Sequence, residues 1–224
     1  YNNVEIGDSI VGYSSFNPIL TPKIPKQFDY SKFLENQRIY AQSFTDTVLC
    51  ISKKPSIFSM ADRFRGKIIA LYEELGIKGK NLSVLVALSL GEKQLLDAET
   101  KSAFSQAGAM HILAVSGLHV GIIYFIFNFL LSFLSILKLK YANILKVILL
   151  LVCIWAFALL TGLSPSVQRA SCMFSIIAIS KANNRSSNVI NSISASGFII
   201  LLINPNAIFE VGFQLSYAAV IGIV

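Results

Sequence analysis

From Gly108 the chain reads Gly-Ala-Met-His-Ile-Leu-Ala-Val-Ser-Gly-Leu-His-Val-Gly-Ile-Ile and then stays apolar to Leu137. No other stretch constrains the fold so tightly. One helix from Ala109 to Leu137 would be about 43 Å long at 1.5 Å per residue, against a hydrocarbon core of about 30 Å. Such a helix must tilt steeply or break, and Ser116-Gly117 is the natural break. Polar side chains and irregular backbone survive at membrane depth only where they face protein or a water-filled cavity. The segment is therefore more than a lipid anchor.

Composition supports a membrane setting, with 54% hydrophobic and 14% charged residues. The charges are unevenly placed. Residues 1–108 hold 13 Lys+Arg and 11 Asp+Glu, whereas residues 109–224 hold six bases and one acid, Glu210. The first half reads as water-compatible and nearly neutral, the second as a basic membrane domain. The excess of positive charge reflects either a polyanionic partner or, as the placement between spans favours, the Lys/Arg bias of cytoplasmic loops. The chain is expected to be a fragment, since it opens on Tyr1 and ends at Val224 inside an apolar run. Cys50, Cys153 and Cys172 are too widely spaced for a metal cluster.

Three regions follow from patterning. Residues 1–52 carry short β segments, Val4 to Tyr13 and Arg38 to Ile51, separated by Pro18, Pro22 and Pro25. So short a stretch cannot build its own core, so it reads as the end of a larger domain. Residues 53–108 hold an amphipathic helix over 56–75, with Ile57, Met60, Phe64, Ile68, Leu71 and Leu75 on one face and Arg63, Arg65 and Lys67 off it. That helix either lies in the membrane interface or packs on the soluble domain. Leu82–Leu90 is too short to span, and Asp97-Ala-Glu-Thr100 starts a further helix. Residues 109–224 hold apolar runs at 117–137, 144–163, 167–180, 189–203 and from 211 onward. The first two are full spans. The next two are shorter and carry Arg169, Asn191 and several serines, so they face other helices rather than lipid. Lys138, Lys140, Lys146, Lys181 and Arg185 fall in or beside alternate loops, which places those loops in the cytoplasm and the N-terminal part outside.

The chemical candidates are few. His111 and His119 would point about 80° apart on a continuous helix, and no carboxylate or cysteine accompanies them, so no metal is expected. Each imidazole either hydrogen-bonds at the helix break or lines a polar cavity, where it titrates near neutrality. Ser116 with His119 raises a serine hydrolase. A helix-bound serine lacks the exposed turn a nucleophile needs, and Ala114 stands where a preceding glycine is expected. No catalytic motif and no cofactor site are therefore expected. Arg169 is either an interfacial anchor or an outer-mouth phosphate contact. Glu210 and Gln214 share a helical face and are positioned to pair with Arg169 or with backbone. In the N-terminal part, Lys23, Lys26, Lys32 and Tyr30 belong to a set of bases interleaved with aromatics, either a DNA-binding face or core rings beside a solvated basic edge. Residues alone leave a small-solute or ion transporter open.

His111-Ile-Leu-Ala-Val-Ser-Gly-Leu-His-Val-Gly121 resembles the signature of the ComEC family of DNA-uptake proteins. Leu90-Gly-Glu-Lys93, Ala103-Phe-Ser-Gln-Ala-Gly108, Leu160-Thr-Gly-Leu-Ser-Pro-Ser-Val-Gln-Arg-Ala170 and Gly212-Phe-Gln-Leu-Ser-Tyr-Ala-Ala-Val-Ile-Gly222 resemble further family blocks, in order. Pro25 to Leu34 resembles the tail of the family's OB-like domain. The resemblance implies an all-α polytopic membrane bundle preceded by a partial OB-like β domain. It also implies a multi-pass protein of the bacterial inner membrane that passes single-stranded DNA into the cytoplasm. Implied partners are single-stranded DNA, the lipid bilayer and other competence proteins, with a homo-oligomer left open. The signature residues so marked are His111, Ser116, Gly117, His119, Gly121, Arg169, Glu210 and Gln214. The metallo-β-lactamase-like domain often found in the family has no motif here, so no nuclease role is carried over.

Overall fold

The computed structural model describes residues 8–19, 28–36, 39–44, 48–52, 56–110, 112–113, 115–136, 142–183 and 188–223. His111, Lys23, Lys26, Lys138, Lys140 and Arg185 lie outside these residues.

The N-terminal part contains four strands, β1 (Ser9–Gly12), β2 (Ser15–Pro18), β3 (Ala41–Phe44) and β4 (Val48–Ser52). They form two separate antiparallel pairs, β1 with β4 and β2 with β3, rather than a closed sheet among the described residues. Register shifts between Ser9 and Ile10. The pairing explains the expected β segments at both ends. The Pro-rich connection holds an unexpected short helix, α1 (Tyr30–Asn36), opened by Asp29, whose carboxylate accepts from the Lys32 N–H at 3.1 Å. Tyr13, Phe16, Phe28 and Phe33 are exposed, so they form no core among the described residues.

The helical part begins with α2 (Ile57–Glu74), α3 (Gly79–Leu90) and α4 (Ala98–Gln106). Ser56 caps α2 through a reciprocal pair: its Oγ accepts from the Phe58 N–H, and Ser59 Oγ accepts from the Ser56 N–H. Asp97 caps α4, accepting from the Thr100 N–H at 3.2 Å, and this bonding holds its carboxyl below the ordinary range. α3 turns Ser83, Val86, Ala87 and Leu90 inward. Its apolar face meets Leu96 and Leu113 in a small cluster.

Five longer elements follow: α5 (Gly117–Ile136), α6 (Ala142–Leu160), α7 (Pro165–Ala182), α8 (Val189–Ile203) and α9 (Val211–Ile223), with a 3-10 turn at Pro205–Phe209. Among the described residues α6 is the one helix both long and apolar enough to cross a membrane. Val189–Ile203 and Val211–Ile223 are shorter apolar helices, as is the Gly117–Ser132 part of the 20-residue α5. α7 runs longer than the apolar run because Pro165 sets its first turn and Lys181 favours its C-terminal dipole. α5, α6 and α7 pack mutually around Val120, Tyr124, Leu150, Ile154, Ala158 and Val167. Small residues let these helices approach closely. Gly121, Ala158, Ala170 and Ala178 are buried at these contacts.

The α6–α7 turn is the tightest junction. Gly162 (φ +77°) and Leu163 (φ +50°) are both left-handed. Leu163 N–H donates to Ala158 O at 2.8 Å and Gly162 N–H to Leu159 O at 3.1 Å, closing the end of α6 in a Schellman arrangement. Gly91, the left-handed cap of α3 at φ +74°, abuts this turn, and a Cβ there would stand 3.1 Å from Thr161 O.

Gly91→Ala is expected to lose about 2 kcal/mol or more of stability, from left-handed strain plus the backbone clash. Gly66→Ala, at a helical site with nothing within 4 Å, is expected to gain up to about 1 kcal/mol. Denaturant unfolding of both variants in detergent checks the pair, and equal effects would show that the contact with Thr161 is not made.

Candidate functional site

The segments that carry the resemblance come together at one end of the bundle. α5 begins at Gly117, so the long apolar run does break there, and Ser116 stands just outside the helix. His119 reaches back to it. The Ser116 N–H donates to His119 Nδ1 at 3.2 Å, and Ser116 Oγ lies 3.1 Å from the same nitrogen. This is one arm of a capping box, with histidine in the place usually held by Glu or Gln. Because Nδ1 accepts from a backbone N–H, the ring proton belongs on Nε2. Ser116 thus precedes the helix rather than standing on it, as the expected break at Ser116-Gly117 implies; Ala114 in place of a glycine remains the sequence objection to a nucleophile. The shared Nδ1 accounts for the contact as a cap.

Val115 O accepts from Ser166 Oγ at 3.0 Å, which fastens the start of α5 to the start of α7. A Cβ on Gly117 would stand 3.4 Å from Ala170 Cβ, an ordinary contact that a larger side chain would exceed. Gly121 is tighter: a Cβ there would stand 3.2 Å from Phe174 Cζ. Phe174 in turn stacks on Tyr124, with centroids 4.8 Å apart.

Arg65 was missed as a functional residue, though it stood among the bases off the apolar stripe. Its Nε donates to Leu160 O at 3.0 Å, and its Nη1 lies 3.0 Å from Asp62 and 3.4 Å from Glu92. A cation at the carbonyl end of α6 satisfies an orphan acceptor and complements the helix dipole. Glu92 belongs to the Leu90-Gly-Glu-Lys93 block, which was the one available signal.

Arg169 lies inside the helical part rather than at its surface. Its side chain is 5% exposed on α7, and its Nε has no hydrogen-bond partner. The ionisable groups that act on it electrostatically are Tyr217 and Glu210. No ion pair within 4.0 Å joins it to Glu210 among the described residues. Gly212, a Cβ on which would stand 3.9 Å from Arg169 Nη2, keeps the start of α9 close. Gln214 is exposed and donates to Ile208 O at 2.9 Å, so it serves the backbone of the preceding turn. Glu210 O accepts the N–H groups of Phe213 and Gln214 at the start of α9.

Around Arg169 runs a polar seam between α7, α8 and α9. Ser171, Ser192 and Ser196 are buried. Ser196 Oγ and Tyr217 OH lie 3.0 Å apart, and Ser171 Oγ has no partner. Nearby, a cavity of about 300 Å³ between α5, α7, α8 and α9 is lined by Gly117, Ser166, Ala170, Ser192 and Ser216. Ser192 and Ser196 belong to the serines expected to face other helices, whereas Tyr217 read as an ordinary residue of an apolar run. Lys32 and Tyr30 lie far from it in sequence, on α1. Lys32 is exposed, 3.9 Å from Asp29, and Tyr30 stacks on Phe33 at 6.3 Å.

If the His119 ring caps α5, His119→Ala should cost about 1 kcal/mol by leaving the Ser116 N–H without its acceptor. His119→Gln, which offers an acceptor in the usual capping-box place, should recover most of it. Thermal unfolding in detergent reads both, and equal losses would remove the cap.

The chain matches the Competence protein family over residues 88–224. It is 30% identical over 195 residues to ComE operon protein 3 of Bacillus subtilis (strain 168), covering 87% of this chain and 24% of that protein. It is 29% identical over 147 residues to an uncharacterized protein of Aquifex aeolicus (strain VF5), covering 65% of this chain and 33% of that one. The chain therefore spans about a quarter to a third of these curated relatives. No solved structure matches it. With the family matched over more than half of its residues and its signature segments gathered at one end of the helical part, the chain belongs to the ComEC family of competence proteins.

Proposed function

We propose that this chain is part of the inner-membrane channel that passes single-stranded DNA into the cytoplasm during natural transformation. The observation that carries the reading is membership of the competence family across the helical part. The geometry supports it. A guanidinium at membrane depth costs about 3 kcal/mol on insertion scales, and Arg169 sits buried with an unpartnered Nε. A cost of that size marks a residue kept for function, and an always-charged planar cation suits phosphodiester oxygens. The serines and Tyr217 beside it supply the polar lining that a wet path requires.

The same proposal divides the chain into an extracytoplasmic region (1–52) that ends an OB-like domain, a connecting region (53–108), and a multi-pass region (109–224). The α2 helix lies in the membrane interface. Its Ile57, Met60, Phe64 and Leu71 are exposed while Arg65 is tied to the end of α6, which is the face a lipid-immersed helix presents. Ser116 is a capping residue here, and a serine-directed probe is expected to leave it unlabelled.

Two outcomes test the reading. Arg169→Gln should abolish most transformation with the protein still inserted, and Arg169→Lys should keep part of it, because charge remains while the planar fork is lost. Normal transformation by Arg169→Gln, with small-solute uptake impaired instead, would point to a transporter. For orientation, an impermeant thiol reagent on intact cells should reach a cysteine at position 32 and fail to reach one at 140 or 185.

A further inference from the structure

We propose that the basic end of the bundle carries a binding site for the phosphate of an anionic phospholipid, held by Lys146 and Lys181 across a pocket between α5, α6 and α7. The pocket has a volume of about 260 Å³, with Tyr124, Leu150 and Ala178 on its walls and Asn128 beside the two lysines. Lys146 lies one turn inside the start of α6 and Lys181 one residue before the end of α7, so the pocket opens where the helices meet the headgroup layer. The Lys181 Nζ stands 5.9 Å from the centre of the Tyr124 ring, whose face steadies the ammonium.

The two cations have no carboxylate to answer them. Neither takes part in an ion pair among the described residues. Glu210, the sole acid of residues 109–224, precedes α9 at the opposite end of the bundle. Two ammonium groups sharing one pocket at the edge of a low-dielectric bundle repel each other unless an anion lies between them. A phosphate diester supplies that anion, accepting from both lysines and from the Asn128 amide. At about 30 Å³ per water, the pocket holds about eight waters, which is room for a phosphate with a short ester arm.

The flanking surface selects a lipid over other phosphates. Ile144, Leu145 and Ile148 on α6 and Phe125 and Phe129 on α5 are exposed along the same helices. Acyl chains lie on such residues while the headgroup reaches the lysines. Basic pockets between spans on the cytoplasmic side are where anionic headgroups bind. The inference rests on the membrane placement proposed above, and is independent of what the channel carries.

The test uses the full-length protein in neutral detergent, stripped of native lipid and titrated with phosphatidylglycerol or phosphatidylcholine, with binding read by native mass spectrometry. The wild type should retain phosphatidylglycerol in preference to phosphatidylcholine. Lys146→Gln with Lys181→Gln should weaken phosphatidylglycerol binding about 30-fold, at about fivefold per lysine, and leave phosphatidylcholine unchanged. Lys146→Arg with Lys181→Arg should keep the preference, which separates loss of charge from misfolding. Equal retention of both lipids by the wild type, or undiminished phosphatidylglycerol binding by the double glutamine variant, overturns the proposal. Displacement of the lipid by an oligothymidylate, lost in the double variant, would make this a DNA-backbone site instead and also overturn it, as would equal competition by millimolar inorganic phosphate. None of these readouts uses transformation, so failure here leaves the DNA-uptake reading standing.

Discussion

Everything at the signature end depends on satisfying the backbone of the α6–α7 turn. A helix that ends at membrane depth leaves its last carbonyls without partners, and lipid offers none. Here Ala158 O and Leu159 O are taken by the turn itself and Leu160 O by Arg65. Thr161 O faces Gly91, so the α3 cap closes over the same turn. Ser166 then binds Val115 O and brings in the start of α5. The end of α6 is thus satisfied by its own turn and by Arg65 of α2, while Gly91 and the Ser166–Val115 bond bring α3, α5 and α7 against that turn.

That closure positions the rest of the candidate site. With the starts of α5 and α7 fastened, Gly117 and Gly121 let Ala170 and Phe174 pack against α5. Arg169, one residue from Ala170, is consequently turned away from α5 and into the seam with α8 and α9. Its burial is the cost of that arrangement. Packing alone does not require an arginine there, since an apolar residue of similar length would fill the space without a desolvated charge. The unpartnered Nε and the nearby unpartnered Ser171 Oγ are polar capacity held in reserve.

The two ends of the bundle differ in how they treat charge. At the signature end the two arginines have structural company: Arg65 has Asp62, Glu92 and a carbonyl, and Arg169 has the fields of Tyr217 and Glu210. At the other end Lys146 and Lys181 share a pocket with Tyr124 and Asn128 and no acid.

The sequence by itself determined the family, the helical character of residues 109–224, the break before Gly117 and the helix start at Asp97, because each rests on local order: a motif, a hydrophobic run, or a side chain reaching a backbone group three residues away. The helix of Tyr30–Asn36 was not legible, since its seven residues show little periodicity beside the Pro-rich connection that ends at Pro25. Which serine faces which tyrosine, and that Arg65 rather than Arg63 or Lys67 turns inward, was not legible either. Those outcomes were decided by tertiary structure. They depend on which carbonyls lie orphaned at the end of another helix and on how closely two backbones approach, and neither quantity has a local signature. Arg169 shows the division most clearly. Its presence one turn inside a span marked it from sequence, whereas its burial beside Gly212 and Tyr217 exists only because α9 folds back against α7.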